Sequence, residues 1–576
     1  MVLHFAPDAV SSAQQANLSL EFGDMTPASV EVYGDIANDL GTTLIARFYM
    51  YLQTESQCLR SLGCMGVHST RSDSQDCFDF IEKQLEGCTK SHKKCSTLLQ
   101  TLLPKRVLNI GQNDSDPIRL QDLEGCLGSY ATLSHCWGQF QPIKTLDANY
   151  AEMTRSIAWR DLSNVFQDAV RICRRLRLQY LWIDALCIIQ DSKKDWERES
   201  SKICDYYENA YITISAASSP NGTIPFLTER DPKWLARSFD FRCEDGRNID
   251  VFARRDSGSS VANHIEDSGP LASRAWVWQE TLLSSRVLHY TTSELIWVCK
   301  SSIIAEDCIA PRGIYFLTLP QQLQRCANED KPYNGWHNLI STYSIRQLTF
   351  ESDRLPALSG VAAKIHYLSG SKYLAGMWLE NLLLDLCWSV DYQISDASTL
   401  QPAPTEYIAP SWAWPTVRGA IWSPDSDQDR PFTPLAQIEE AECKVSGLNP
   451  YGQVDQGHLV LKGPVTSITV RCKNPEDCWT YTIGDNPSTV EPMTADCTLV
   501  EFEGSVKRAV ETDGLSPFSL ALPCILLGYD QNKDDSFWYV MVLGKFGTDK
   551  YCRLGIAMLE DDEWFSAATE EKVCIV

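Results

Sequence analysis

Apolar and polar positions alternate along the middle of the chain in two kinds of segment. Short, nearly continuous apolar runs at 131–137, 180–189 and 211–217 have the pattern of strands buried on both faces of a sheet. Between them, apolar residues recur at helical spacing over 162–176 and 196–210. Strands that alternate with helices predict an α/β fold with a parallel sheet and right-handed crossover connections.

The pattern of apolar and polar positions changes after residue 217. Residues 274–284 predict a helix, and the apolar runs that follow it predict a β-hairpin. After about residue 430, short strand-like runs are spaced by Gly, Asp and Asn turns. The sequence therefore predicts four regions: a helical, cysteine-containing N-terminal region (1–105), the α/β core (106–310), a mostly helical extension (311–430) and a β-rich C-terminal region (431–576).

Composition narrows the classes of partner. The formal net charge is −24, from 51 basic and 75 acidic residues, which opposes binding to nucleic acid or to an anionic membrane face. No apolar run approaches the ~20 residues that span a bilayer, and the first residues lack the pattern of a secretory signal. With 22 cysteines spread over a long chain, these features favour a reducing, cytoplasmic setting in which most thiols are buried.

One segment of the N-terminal region places two thiols and an imidazole close together. Its sequence is Cys-Thr-Lys-Ser-His-Lys-Lys-Cys, with Cys88, His92 and Cys95 as the chemical groups. Zinc needs a fourth ligand, and the paired spacing of a zinc finger is missing here. The sequence alone therefore favours a structural cluster of thiols and imidazole over a metal site, and we predict no metal.

Three short blocks combine tryptophan with polar groups inside apolar sequence. They are Tyr-Ala-Thr-Leu-Ser-His-Cys-Trp-Gly at 130–138, Tyr-Leu-Trp-Ile-Asp-Ala-Leu-Cys-Ile-Ile-Gln at 180–190 and Arg-Ala-Trp-Val-Trp-Gln-Glu at 274–280. Together they resemble the three blocks of the heterokaryon incompatibility (HET) domain of filamentous fungi. Further segments between 336 and 414 are similar to those that follow the blocks in large HET proteins. The resemblance assigns the HET domain to the α/β core.

In a parallel sheet, ligands bind beyond the carboxyl ends of the strands. Ser134 and His135 fall late in the first predicted strand, and Asp184 and Cys187 fall late in the second. If these strands are neighbours, the two sets of side chains converge. The third block adds Trp276 and Glu280, which share one face of a helix, together with Arg274 and Gln279. The sequence thus predicts one site built from the three blocks.

The resemblance implies a role in fungal non-self recognition, where HET domains are effectors that arrest growth or kill the cell. HET domains are distantly similar to TIR domains, so the core is expected to be TIR-like or flavodoxin-like. Many TIR domains cleave NAD with a glutamate that stabilises the ribosyl cation. By that likeness, Asp184 and Glu280 are the candidate catalytic carboxylates and NAD is the candidate substrate. The expected substrate-binding residues are Ser134, Trp137, Trp182, Gln190, Arg274, Trp276 and Gln279.

Other interpretations of the same residues stay open. Asp184 and Arg274 are also explained by a structural ion pair, and the tryptophans by packing in the core. A second chemistry pairs Cys187 with His135 for acyl transfer, with Asp184 or Gln190 orienting the ring, in an accessory enzyme of small-molecule biosynthesis. A third hypothesis is a non-catalytic scaffold. In each case we expect a protein partner or self-association. The sequence firmly implies no cofactor.

Overall fold

The structure is a computed structural model. It describes residues 16–21, 28–35, 42–53, 65, 69–95, 100–138, 143–243, 246–255, 269–306, 332–391, 400–424, 431–473, 480–484, 490–511, 515–531, 536–560 and 563–576. The chain divides into two compact units, Met1–Gln321 and Gln322–Val576. Each unit is described by itself below.

The first unit contains seven of the described helices and the strands of the predicted α/β core. The helices are α1 (Gln75–Ser91), α2 (Tyr150–Met153), α3 (Asn164–Arg175), α4 (Asp184–Cys187), α5 (Lys193–Ser200), α6 (Ile203–Asn209) and α7 (Ala275–Leu283). The strands are β1 (Ala16–Glu21), β2 (Ala28–Asp35), β3 (Thr42–Tyr51), β4 (Thr101–Leu102), β5 (Arg106–Asn109), β6 (Arg119–Asp122), β7 (Leu127–Gly128), β8 (Tyr130–Ser134), β9 (Tyr180–Trp182), β10 (Ile212–Ser215), β11 (Arg237–Arg242), β12 (Asn248–Arg255), β13 (Arg286–Tyr290), β14 (Leu295–Cys299) and β15 (Ile303–Ala305).

The core of this unit is an eight-stranded mixed sheet with the order β15-β14-β13-β10-β8-β9-β5-β6. The four central strands, β13, β10, β8 and β9, run parallel, and the outer pairs are antiparallel. Every residue of β8, β10 and β13 is buried, as the continuous apolar runs predict for strands covered on both faces. The expectation of an α/β core and of a hairpin after α7 is confirmed, but the predicted parallel sheet is parallel only in its four central strands, because the hairpins at its two sides add antiparallel strands.

The predicted long strand over 180–189 is wrong in its second half. Strand β9 ends at Trp182, and Asp184–Cys187 is the single helical turn α4. The backbone turns here because the Asp184 carboxylate accepts the N–H of Ala185 at 2.7 Å, which satisfies an amide at the start of the turn. A continuous apolar run does not distinguish a buried strand from a buried turn. The predicted helix over 196–210 is likewise two helices, α5 and α6.

The N-terminal region differs from the expected helical one. Strands β1, β2 and β3 lie within it and pair antiparallel, and β3 also pairs with β12 to give a five-stranded sheet in the order β1-β2-β3-β12-β11. The runs at 28–35 and 42–51 are rich in β-branched and aromatic residues, which favour strands. The helical prediction holds for α1, which begins at the N-cap Ser74 and buries Cys77, Ile81 and Cys88 along one face.

The second unit contains α8 (Pro332–Ser344), α9 (Ser359–Ser369) and α10 (Leu382–Asp385), with β16 (Tyr373–Leu374), β17 (Met377–Trp378), β18 (Ser389–Asp391) and β19 (Ala420–Trp422). Its β-rich part consists of β20 (Phe432–Pro434), β21 (Gln437–Val445), β22 (Val454–Lys473), β23 (Thr480–Ile483), β24 (Glu491–Ala495), β25 (Leu499–Phe502), β26 (Ser505–Arg508), β27 (Phe518–Gln531), β28 (Ser536–Phe546), β29 (Lys550–Leu559) and β30 (Thr569–Ile575). The predicted β-rich C-terminal region is confirmed.

Nine of these strands form one sheet. Strand β22, 20 residues long, pairs with β21, β23, β27 and β30.

The described free thiols of the first unit, apart from Cys126 and Cys204, are buried, as expected, while Cys243 is in a disulfide. None of the described helices is both long enough and apolar enough to cross a membrane.

The interior of the second unit contains a buried ion pair. Arg553 and Asp496 are almost fully enclosed, with the Nε of Arg553 3.0 Å from the Oδ2 of Asp496. The guanidinium also donates to the carbonyls of Leu386 and Trp388 and lies 3.7 Å from the centroid of the Trp388 ring. These partners satisfy a cation that water cannot reach.

We expect Asp496→Ala to lower the free energy of unfolding by about 3–5 kcal/mol, because Arg553 is left as an uncompensated buried charge. The matched control is Glu439→Ala, which removes the exposed Glu439–Lys572 pair and is expected to cost less than about 1 kcal/mol. Urea denaturation of the full chain measures both. Equal losses of unfolding free energy in the two variants would contradict a larger stabilisation by the buried pair than by the exposed one.

Candidate functional site

The site is built on the carboxyl ends of neighbouring parallel strands. Strand β8 pairs with β9 on one side and with β10 on the other. The connection from β8 leads through α3 to β9, and the chain then returns past β8 to β10. Connections that leave two adjacent strands in opposite directions open a crevice at their carboxyl ends. Ser134 is the last residue of β8, and 135–137 extend from it at this edge.

Gly138 allows the chain to leave this edge. Its φ is +67°, in the left-handed region, and a Cβ atom at this position would lie 2.4 Å from the Cβ of Asn221. Glycine is therefore required both by the backbone conformation and by the close approach of the loop that contains Asn221.

Gly138→Ala is predicted to destabilise the first unit by more than the roughly 1–2 kcal/mol that a left-handed alanine costs, because of the added clash. Gly125→Ala is the matched control, since Gly125 has a φ of +82° and no atom within 4 Å of the added Cβ. The measurement is thermal or urea unfolding of both variants. A Gly125→Ala change as costly as Gly138→Ala would show that the Asn221 contact does not matter.

The carboxyl group of Glu280 contacts the end of β8. Glu280 lies on α7, and the hydroxyl of Ser134 donates a hydrogen bond to its Oε2. Burial raises the pKa of Glu280 to about 7, and the negative charge of Asp184 adds to the rise. The hydroxyl groups of Ser134 and Tyr207 and the charge of Arg274 oppose it. Near neutral pH this carboxyl therefore exchanges between the protonated and ionised forms.

The second carboxylate, Asp184, is held at the same edge by Trp137. The indole Nε1 of Trp137 donates to Oδ2 of Asp184 at 2.8 Å, and the side chain of Asp184 keeps 30% of its surface exposed. Nδ1 of His135 lies 3.8 Å from Oδ1 of the same carboxylate. The pKa of His135 is lowered, mainly by burial, so its imidazole is neutral at pH 7. The last residue of β8 and the residues just after it thus contact both candidate carboxylates.

Arg274 connects the third block to the first one. Its Nη1 donates to the carbonyl of His135 at 2.6 Å, at the position that caps α7. In the described part of the chain no ion pair joins Arg274 to Asp184, so the predicted structural bridge between them is wrong. Asp184 is instead bound by Trp137 and by its own helical turn, while the guanidinium of Arg274 is bound by the carbonyl of His135.

The remaining predicted residues lie away from this edge or are enclosed. Trp182 is 1% exposed and packs against Tyr206 and Tyr207, so its ring has no open face. The amide of Gln190 donates to the carbonyls of Asp184 and Ile188, which fixes the turn after β9. Gln279 is buried, and Trp276 is partly exposed on α7.

The thiol of Cys187 is poorly suited to nucleophilic chemistry. It is completely buried, and burial raises its pKa to about 12. Its sulfur accepts the backbone N–H of Ile183 at 3.5 Å, and no hydrogen bond joins it to His135 among the described residues. A thiol with such a high pKa carries almost no thiolate at neutral pH.

Tyr207 is a further residue near the two carboxyl groups. Tyr207 lies on α6 and is 2% exposed, and its hydroxyl donates to the carbonyl of Leu133 at 3.2 Å. Burial raises its pKa well above the ordinary value of 10, and the nearby charges of Glu280 and Asp184 add to the rise. A tyrosine at helical spacing among apolar residues predicts core packing, so nothing in the sequence pointed to its contact with Glu280.

Comparison with known families is consistent with this geometry. The fold and the site define an α/β sheet protein with two carboxyl groups at the carboxyl end of its central strand. Residues 130–280 match the family model described as heterokaryon incompatibility protein (HET). The match begins at the first residue of β8 and ends at Glu280, so these residues form a HET domain and the predicted resemblance is confirmed. No curated protein and no solved structure matches the chain.

The raised pKa of Glu280 predicts a pH dependence of stability. Between its ordinary value of 4.5 and about 7, the folded state binds more protons than the unfolded state, so the free energy of unfolding falls as pH rises through this window. Glu280→Gln stays neutral and keeps a partner for Ser134. We expect it to exceed the wild type in stability at pH 8 by up to about 3 kcal/mol, and to match it near pH 4.5.

Urea unfolding at a series of pH values measures this difference. Glu152→Gln is the control, because Glu152 is exposed on the short helix α2. If the Glu280→Gln and wild-type curves run parallel between pH 5 and 8, the assigned pKa of Glu280 is wrong.

Proposed function

We propose that this chain is a fungal heterokaryon incompatibility effector whose HET domain hydrolyses NAD in the cytoplasm. The observation that carries the proposal is the convergence of Asp184 and Glu280, from two separate sequence blocks, on the end of β8 and the residues just after it. Depletion of NAD by such an effector arrests growth or kills the cell, which fits the non-self-recognition role of the family.

We also propose that the core is TIR-like or flavodoxin-like. In chain order the parallel strands are β8, β9, β10 and β13, and their spatial order is β9-β8-β10-β13. Numbered along the chain, this order is 2-1-3-4, the order with which flavodoxin-like sheets begin. In such sheets the ligand lies at the point where the connections diverge, which here is next to Ser134.

In the proposed reaction, the bond between C1′ of the ribose and the nicotinamide nitrogen breaks. Nicotinamide leaves with the bonding electron pair, a water molecule adds to C1′, and the products are ADP-ribose, nicotinamide and a proton. Ionised Glu280 stabilises the positive charge that develops on the ribose, in a site that excludes much of the water. The same desolvation that strengthens this interaction also raises the pKa of Glu280.

The other residues of the site orient these groups. Asp184 adds negative charge and fixes the indole of Trp137, whose partly exposed ring is placed to stack on a flat substrate group. Arg274 holds the carbonyl of His135, and Ser134 holds the carboxyl of Glu280. A protein partner or self-association is the proposed trigger, because family members act as regulated effectors.

Nicotinamide release from NAD by the purified full chain tests the proposal. We expect activity in the wild type that rises with pH through about 7, as Glu280 ionises, and then levels off. Glu280→Gln is expected to lower kcat by at least about 100-fold, since loss of one electrostatic stabiliser costs ~10²–10³. Asp184→Asn is expected to lower it less, and Glu152→Gln to leave it unchanged.

Two outcomes would contradict the proposal. Release that persists at wild-type rates in both Glu280→Gln and Asp184→Asn would exclude these carboxylates. No release by the wild type, even at protein concentrations that allow self-association, would favour a non-catalytic interaction module. Circular dichroism of each variant confirms that the fold is intact before the rates are compared.

A further inference from the structure

A second cluster of chemical groups lies in the first unit, apart from the carboxylates. Cys88, His92 and Cys95 come from the end of α1 and the 3-10 turn after it, and Cys299 is the last residue of β14. One potential ligand atom from each of the four residues lies within 4.8 Å of all the others. The first three residues are neighbours in the sequence, whereas Cys299 is more than 200 positions further along the chain.

Local structure presents the first three groups on one side of the chain. Cys88 is in the last turn of α1, and the N–H of His92 bonds to its carbonyl at 3.2 Å. The N–H of Cys95 then bonds to the carbonyl of His92 at 2.9 Å, which closes the 3-10 turn. Steps of four and three residues keep side chains on the same face of a helix. The helix end therefore offers three ligands at once.

Strand β14 supplies the fourth group. The sulfur of Cys299 lies 3.4 Å from Nδ1 of His92, and the N–H of Cys299 bonds to the carbonyl of Ser302 in a tight turn. In a tetrahedral zinc site with bonds of ~2.0–2.3 Å, neighbouring ligand atoms are separated by roughly 3.5–3.8 Å. The four groups thus need only small side-chain adjustments to surround one ion.

We propose that Cys88, His92, Cys95 and Cys299 bind one structural zinc ion. Three thiolates and one imidazole are an established ligand set for structural zinc, and four protein ligands leave no open position for catalysis. The three cysteines are buried, while His92 is partly exposed. The site would fasten the end of α1 to the hairpin of β14 and β15 at one side of the HET-domain sheet.

Residues around the cluster suit its charge. Three thiolates and Zn²⁺ carry a net charge of −1, which needs compensation in a buried place. The guanidinium of Arg286, 2% exposed, donates from Nε to the sulfur of Cys88 at 3.2 Å and from Nη2 to the carbonyl of Cys95 at 2.6 Å. The hydroxyl of Ser302 lies 3.2 Å from the sulfur of Cys299. Such outer hydrogen bonds orient metal ligands and stabilise thiolates.

The first test is the zinc content and native mass of the full chain, purified under reducing conditions without chelator. We expect one equivalent of zinc, which a thiol-modifying mercurial releases. Cobalt(II) in place of zinc is expected to give the visible absorption of a tetrahedral thiolate site. A metal-free protein that also takes up neither zinc nor cobalt(II), or a disulfide mapped by peptide mass spectrometry between two of Cys88, Cys95 and Cys299, would overturn the proposal.

Variants locate the site. Cys299→Ser and His92→Asn are each expected to weaken zinc binding by more than about 100-fold, since loss of an outer partner alone costs about 10- to 100-fold. Cys126→Ser is the matched control, because Cys126 is an exposed free thiol of the same unit. Retention of full zinc affinity by Cys299→Ser would exclude the site. If that variant fails to fold, the His92→Asn variant and the cobalt(II) spectrum of the wild type decide.

Discussion

The parallel pairing of β8 on both of its edges is the constraint on which the site depends. Strands β9 and β10 flank β8. At the carboxyl end of β8, the connections to these two neighbouring strands therefore diverge. The four residues after Leu133, 134–137, include those that contact α7 and the helical turn α4. Ser134 bonds to Glu280, His135 accepts from Arg274, and Trp137 bonds to Asp184. One strand end therefore joins all three blocks that the sequence keeps far apart.

The two carboxyl groups experience different surroundings although they share this edge. Glu280, on α7, loses solvation and its pKa rises to about 7, whereas Asp184 keeps part of its surface exposed and has an indole and an amide as donors. Desolvation beside a second carboxyl group brings the titration of Glu280 close to neutral pH. Such a pair is also costly for stability, which fits a functional origin of the burial of Glu280.

Sequence patterns predicted the parts that depend on local periodicity. The buried strands β8 and β10, the helix α7 and the hairpin that follows it appear where the apolar pattern places them. The turn at Asp184 was missed, because a fully apolar run hides the change from strand to helix. The three blocks predict that Asp184 and Glu280 share one site, but nothing in the sequence indicates that Tyr207 approaches Glu280. Cys299 could not be connected with Cys88 from the sequence, since only the pairing of strands brings them together.

The most direct test of the account is a crystal structure of the full chain with an NAD analogue that cannot be hydrolysed. We predict that the nicotinamide-bearing ribose lies beyond the end of β8, with its C1′ atom facing the carboxyl of Glu280 and the nicotinamide ring beside Trp137. An analogue bound elsewhere on the chain, or no bound analogue at saturating concentration in crystals that leave this edge open, would contradict it.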